Sequence, residues 1–188
     1  MNLHFDLIAP LYDHLMGRPD AGPLAKALGL PSDGLLLDAG GGTGRVSRLL
    51  APWVKGVVVC DASRRMLAQA RPAGLSAVQG HAERLPFPDG AFARVLVVDA
   101  LHHFRRQREA LSELVRVLAP GGRLLVSEPD IAHAGVRLIA LAERLALMNS
   151  RFLPPAEIAA MLAAEGIAPR MLRNGGTTAW LIADKPSE

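Results

Sequence analysis

Cysteine is almost absent from the 188-residue chain: Cys60 stands alone, which excludes an internal disulfide and any cysteine-built metal cluster and makes a reducing compartment the expected setting. No apolar run approaches the roughly 20 residues that cross a bilayer, and no basic, apolar, small-residue leader opens the chain. A cytoplasmic protein without stable membrane insertion is therefore expected. Clustered positive charge is missing as well. Lysine and arginine number 21 against 18 acids, for a net charge of +3, but most of the basic residues are dispersed among acids, which is a poor footprint for nucleic-acid phosphate. The densest group, Arg105, Arg106 and Arg108, precedes Glu109 and Glu113 at spacings that allow pairing along a helix. Internal repeats, low-complexity segments and shifts of composition are lacking too, so residues 1–188 read as one domain.

What is present is organised around Leu35-Leu36-Leu37-Asp38-Ala39-Gly40-Gly41-Gly42-Thr43-Gly44-Arg45-Val46. Three consecutive apolar residues predict a strand buried on both faces of a parallel sheet. The glycines that follow tolerate positive φ and let a ligand lie against bare backbone at a helix N-terminus.

The rest of the chain repeats this rhythm. Gly56–Cys60 predicts a second strand that stops at Asp61, and Ser63 caps a helix carrying Met66, Leu67 and Ala70. Ser76–Gln79 is a short third strand; Val95–Val98 is a fourth, ending at Asp99; Leu124–Val126 is a fifth, ending near Glu128. A helix over Arg106–Leu118 joins the last two, and Pro120-Gly121-Gly122 is expected to separate that helix from the fifth strand. Alternation of this kind implies right-handed crossovers and a doubly wound, mostly parallel α/β sheet of Rossmann-like type. Asp38, Asp61, Asp99 and Glu128 all fall at the carboxyl edge, where such sheets bind ligands.

Both ends depart from the rhythm. Residues 3–16 and Leu24–Leu28 predict short helices broken at Pro10 and closed at Gly29 and Pro31. Ile131, Ala134, Leu138, Leu141, Leu145 and Met148 recur at three and four residues, which predicts an amphipathic helix above the end of strand five; another spans Pro155–Glu165. Ile167–Leu172 and Thr177–Ala183, joined at Asn174-Gly175-Gly176, read as a hairpin adding antiparallel pairing to the sheet.

Taken in order, these stretches resemble the class I S-adenosylmethionine-dependent methyltransferases, in particular the group that includes the ubiquinone and menaquinone C-methyltransferases. The resemblance rests on Phe5-Asp6-x-x-Ala9-x-x-Tyr12-Asp13, Asp38-x-Gly40-x-Gly42-x-Gly44, Asp61, Ala82-Glu83 before Leu85-Pro86-Phe87-Pro88-Asp89, Asp99 to His103, Leu118-x-Pro120-Gly121-Gly122 and the closing Gly175-Gly176. It implies a seven-stranded methyltransferase fold, with residues 1–30 as an N-terminal helical flap and 129–154 as a helical substrate cap after strand five.

By that resemblance Gly40 and Gly42 hold the methionine part of S-adenosyl-L-methionine, and Asp38 orients their loop or meets the amino group through water. Asp61, with Ala62 beside it, accepts both ribose hydroxyls; the plainer reading is an acid that caps the helix near Ser63. Met66 packs on adenine, Ala82 offers its N–H to the ring, and His81 stands where the family usually has an acid. Asp99 touches the cofactor, and Tyr12 contacts either ligand from the flap.

Methyl transfer from a sulfonium needs orientation and dryness more than a base. Should the acceptor have to lose a proton, His102 and His103, after strand four, are the candidate catalytic residues. The expected activity is in-line methyl transfer to a small, largely apolar acceptor by a monomer or homodimer, with no nucleic-acid partner and no metal site. Two alternatives stay open. A nicotinamide-dinucleotide oxidoreductase would use Ala39-x-Gly41-x-x-Gly44 as a partial fingerprint, although Arg45 stands where the register of Gly40 and Gly42 needs the third glycine. A protein that binds the cofactor without turnover would share every motif.

Overall fold

The computed structural model describes residues 20–145, 150–173 and 176–187. Its elements are α1 (Ala21–Leu28), β1 (Ser32–Ala39), α2 (Ser47–Leu50), β2 (Val54–Asp61), α3 (Arg64–Ala70), β3 (Ser76–Gln79), β4 (Phe92–Val98), α4 (Gln107–Val117), β5 (Leu118–Pro129), α5 (Ala134–Leu145), α6 (Pro155–Ala164), β6 (Arg170–Arg173) and β7 (Thr178–Asp184). Single 3-10 turns lie at Ala51–Trp53, Arg71–Ala73 and Leu101–His103. The helices expected around Pro10 and the centre of the hairpin turn at Asn174 and Gly175 lie outside the described residues.

One sheet runs in the order β3-β2-β1-β4-β5-β7-β6. The first five strands pair in parallel, and β7 runs antiparallel to both β5 and β6. The seven-stranded doubly wound arrangement with a reversed C-terminal hairpin is thus the one the sequence predicts. Strand order reverses between β1 and β4, which opens a crevice at their carboxyl ends.

Neighbouring residues of the inner strands face opposite sides of the sheet, and both sides are covered. Leu37, Val95, Val97, Leu124, Val126 and Leu181 pack with Leu111 and Leu114 of α4 and with Ile158 and Leu162 of α6. Leu36, Leu96, Leu125 and Ile182 pack on the other side with Leu24 and Leu28 of α1, Leu50 of α2 and Leu67 of α3. The central strand is less uniformly buried than its three leucines imply: Leu35 is 37% exposed, and full burial begins at Leu36.

Local chemistry sets the ends of the elements. Asp20 accepts a hydrogen bond from the Gly22 N–H at 3.0 Å to open α1, and Gly29, at φ 65°, closes it by donating to the carbonyls of Ala25 and Lys26. Arg116 of α4 braces the irregular 85–90 loop, donating to the carbonyls of Leu85 at 3.1 Å and Phe87 at 2.9 Å while pairing with Glu113 and Asp89. Pro120-Gly121-Gly122 does not separate α4 from the fifth strand as expected. It lies inside β5, in a register jump between the Phe92–Leu118 and Arg94–Arg123 pairs, because the glycines let the strand bulge and continue.

The helix after strand five forms, but with a different inward face. Leu138, Ile139, Leu141 and Leu145 are more than half exposed among the described residues, whereas Val136 is 2% exposed. Val136, Ala140 and Glu143, at spacings of four and three, form the more buried side. The inward face therefore includes an acid and omits the leucines that the periodicity selected. No helix among the described residues is long and apolar enough to cross a membrane.

Candidate functional site

At the crevice, the turn after β1 adopts left-handed backbone at Gly40 (φ 73°) and Gly42 (φ 56°). Gly40 has no room for a side chain, since a Cβ there would lie 2.7 Å from that of Ala100 and 3.1 Å from the Phe104 ring. Gly42 has such room on its cavity side, where the nearest atoms to a Cβ are Met66 Sδ at 3.9 Å and Asp61 Oδ2 at 4.0 Å. That open space, bounded by backbone, is where a ligand can touch the turn.

Asp61 fastens this turn to the end of β2. Its Oδ2 accepts from the Gly42 N–H at 3.0 Å and its Oδ1 from the Ser63 N–H at 2.7 Å, while Ser63 accepts from Met66 N–H at 3.1 Å to cap α3. The helix-entry role and a ligand-binding role thus coexist: each carboxylate oxygen has a second lone pair for a hydroxyl. Asp38, 2% exposed, accepts from the Ser47 hydroxyl at 2.6 Å, tying the turn to α2. Burial pushes its carboxyl up to about 6, against the Ser47 hydrogen bond and aided by the charge of Asp61.

A cavity of about 390 Å³ opens beside the turn. Gly40, Gly42, Asp61, Ala62, Met66, His81, Ala82 and Asp99 all line it, so the structure brings together every predicted cofactor residue except Asp38, which acts from behind, and Tyr12, which lies outside the described residues. His81 stands exposed at the rim and pairs with Arg84 in a single antiparallel bridge. Cys60 also lines the cavity, but burial pushes its thiol up to about 12, which keeps it from acting as a nucleophile.

Another part of the wall follows β4. Asp99 has φ 49°, the one positive value at a non-glycine among the described residues, and its N–H donates to the Ser127 carbonyl at 2.9 Å. Burial, then the charge of Glu128, pushes its carboxyl up to about 6. Asp99 thus combines a left-handed backbone with a raised carboxyl in the wall of the cavity.

The two predicted histidines part company here. His103 lines the cavity, with Nδ1 3.0 Å from the Ser150 hydroxyl, and burial pushes its imidazole down to about 3. His102 lies behind it, 4% exposed, stacked on Phe152 at 4.3 Å between ring centroids. Its Nδ1 is 2.6 Å from Glu128 Oε2, and Glu128 Oε1 accepts from the Ala100 and Leu101 N–H groups at 2.9 and 2.8 Å. Burial alone would lower His102; the Glu128 hydrogen bond and charge outweigh it and hold the imidazole above its usual value.

Sequence reasoning placed Glu128 at the edge but not as the anchor of His102, and it missed Phe104, Ser150, Phe152 and Glu143. Phe104 had a signal, since the turn closes on whatever follows His103. The others lie 40 to 50 residues beyond the histidines in the chain, and no local pattern links them to the histidines.

Comparison with known proteins points one way. A family described as a methyltransferase domain matches residues 37–126. The demethylmenaquinone methyltransferase of Thermus thermophilus is 32% identical over 181 residues, covering 80% of this chain and 82% of that protein. That of Beutenbergia cavernae is 42% identical over 104 residues, 54% of this chain and 43% of that protein, so the chain spans under half the length of several curated relatives it matches. Among solved structures, an S-adenosylmethionine-dependent methyltransferase of Thermotoga maritima superposes with TM-score 0.80 at 23% identity over 98% of this chain and 100% of that one, a likeness of fold.

Proposed function

The chain belongs to the class I S-adenosylmethionine-dependent methyltransferases, and from that premise we propose that it moves a methyl group from this cofactor to a small, largely apolar acceptor. The observation that carries the reading is one cavity lined both by Gly42 and Asp61 and by His103 and Phe104. The first pair suits a nucleoside and the second an uncharged ring.

The residues fit the cofactor. Gly42 leaves its Cα face bare where a Cβ would fill the cradle, Asp61 offers two oxygens to a ribose diol, and Met66 and Ala82 form an apolar slot for adenine. S-adenosylmethionine supplies a methyl on a sulfonium that is already a good leaving group, so holding the acceptor in line and keeping water out account for most of the rate. Asp38 and Ser47 hold the turn in place. His103, neutral because of its burial, lines the acceptor end and can position a hydroxyl without a competing charge. Phe104 gives an apolar ring a flat surface.

The relatives' names support the acceptor class, since demethylmenaquinone is a lipid-soluble ring. The antiparallel β7 disfavours the nicotinamide alternative, because the dinucleotide-binding sheet is built from parallel βαβαβ halves. Calorimetry with S-adenosylhomocysteine and NAD, followed by incubation with labelled cofactor and a panel of phenols, quinones and amines, tests the proposal. Binding of the nucleoside together with a labelled, organic-extractable product is expected. Tight NAD binding without the nucleoside, or label appearing only on RNA, would overturn it.

A further inference from the structure

Behind the cavity's acceptor wall, His102, His103 and Glu143 each present a ligand atom within 4.8 Å of the other two. The two histidines come from the turn after β4, and Glu143 comes from the inward face of α5. Glu143 Oε2 is shielded from solvent and has no hydrogen-bond partner among the described residues. An ionised oxygen in that position costs free energy until a cation or a donor meets it.

Each imidazole has a partner at Nδ1, an arrangement that metal-ligating histidines share. Glu128 takes the Nδ1 side of His102 at 2.6 Å, which leaves Nε2 as the donor atom, and the Ser150 hydroxyl lies 3.0 Å from Nδ1 of His103. A carboxylate or hydroxyl that fixes the far nitrogen sets the tautomer, aims the ring and raises its basicity toward an ion. Phe152, stacked on His102, shields that side from water. A tetrahedral ion with bonds of about 2.0–2.1 Å holds its donors about 3.3 Å apart, so the three side chains close by at most about 1.5 Å on binding.

We infer that His102, His103 and Glu143 bind one divalent first-row transition metal ion, zinc being the ion to test, at the acceptor end of the cavity. Two imidazoles and one carboxylate are borderline-soft donors that favour zinc and its neighbours over magnesium or calcium, which take oxygen ligands almost alone. Three protein ligands leave a position open. Because His103 lines the cavity, that position faces the place of the acceptor, and this part of the inference rests on the methyl-transfer reading. A hydroxyl bound there loses its proton more easily: the metal–oxygen bond forms, the proton passes to solvent, and the resulting oxyanion is the nucleophile. No redox step is involved.

The test uses the full chain stripped with EDTA, titrated with zinc chloride in a calorimeter and with cobalt(II) by visible absorption. One ion per chain and a ligand-field band are expected. Glu143→Gln should weaken zinc by at least about tenfold, and Glu128→Gln, which frees the far nitrogen of His102, by about 10- to 100-fold. Glu157→Gln, at a half-exposed acid near Arg151, should change nothing. Glu143→Asp keeps the charge but withdraws the carboxylate by one methylene. It should alter the cobalt spectrum if Glu143 is a ligand, and an unchanged spectrum would overturn that assignment. Zinc binding well below one ion per chain, or equal in wild type and Glu143→Gln, would overturn the site. S-adenosylhomocysteine affinity of the same metal-free protein reports separately on the methyl-transfer reading: zinc binding without the nucleoside sinks that reading alone, and the reverse sinks the metal site alone.

Discussion

On the glycine-turn side of the cavity, the surface offered to a ligand is backbone, held by Asp38 and Asp61, which stand 23 residues apart in the chain. On the histidine side it is side chains of the turn after β4, His103 and Phe104, backed by Glu128 of β5, by Glu143 of α5 and by Ser150 and Phe152 ahead of α6. Backbone held by short-range bonds is specified by residue type: a bulky residue at Gly40 cannot fit, whatever surrounds it. A cluster of side chains is specified by packing over long loops, so its members change without any local rule being broken. One end is suited to an invariant ligand and the other to a variable one.

That contrast breaks most readily at Gly40. A Cβ there would lie 2.7 Å from Ala100 Cβ on a backbone at φ 73°. Left-handed strain of about 1–2 kcal/mol adds to overpacking of about 1–3 kcal/mol. Gly40→Ala should lower the melting temperature by roughly 5–20 °C and abolish S-adenosylhomocysteine binding in calorimetry. A variant that melts like wild type and still binds would show that the turn is not fixed by its neighbours.

Asp38 sharpens the comparison, because there stability and binding pull apart. Its carboxyl is raised from 3.8 to about 6 by burial. The folded state thus holds the proton more tightly than the unfolded chain, and this stabilisation is full below about pH 4 and lost as pH rises through 6. The difference is about 3 kcal/mol. Asp38→Asn still accepts from Ser47 but has no proton to lose. In urea titrations it should match wild type near pH 4 and be more stable by up to about 3 kcal/mol at pH 8, while binding the cofactor less well. Equal urea midpoints at pH 8 would mean that Asp38 is not destabilised by its burial.

Asp61 comes next. Asp61→Ala removes the acceptor for the Gly42 and Ser63 N–H groups and, on the proposed reading, for the ribose hydroxyls. A lost hydrogen bond to a charged group costs roughly 1.5–3 kcal/mol, or about tenfold to hundredfold in nucleoside affinity. Calorimetry reads it directly. A loss below about threefold would confine Asp61 to its helix-entry role.

These differences also explain what was legible in advance. The strand, glycine turn and helix of the cofactor end are written within about 30 consecutive residues, and each acid that ends a strand follows an apolar run. The register jump that absorbs Pro120-Gly121-Gly122 was not readable, because it depends on how β5 meets β4. His102 and His103 were visible as a pair, but their division into a buried ring and a cavity-lining ring was not. That division comes from Glu128 and Phe152, which approach only once the sheet and α6 are assembled. The anchoring of the 85–90 loop by Arg116 was equally hidden, since its partners lie 27 to 31 residues away.

The smallest effect is expected where the periodicity misled. Leu138 lies on the stripe whose spacing predicts a greasy cover over the acceptor, yet it is 68% exposed, while Val136 on the other side of α5 is 2% exposed. Burial, not period, decides what a substitution costs: an exposed leucine has little transfer free energy to lose, and surface changes usually stay within about 0.5 kcal/mol. Leu138→Ser should therefore leave the urea midpoint and the acceptor KM nearly unchanged. Val136→Ser, by contrast, removes a buried side chain and inserts a hydroxyl, and should destabilise by about 1–3 kcal/mol. The pair of variants in one helix separates the two faces. If Leu138→Ser raised KM several-fold with cofactor affinity intact, the leucine stripe would cover the acceptor as its spacing implied, and the histidine end would owe its selectivity to apolar contact rather than to the cluster around Glu143.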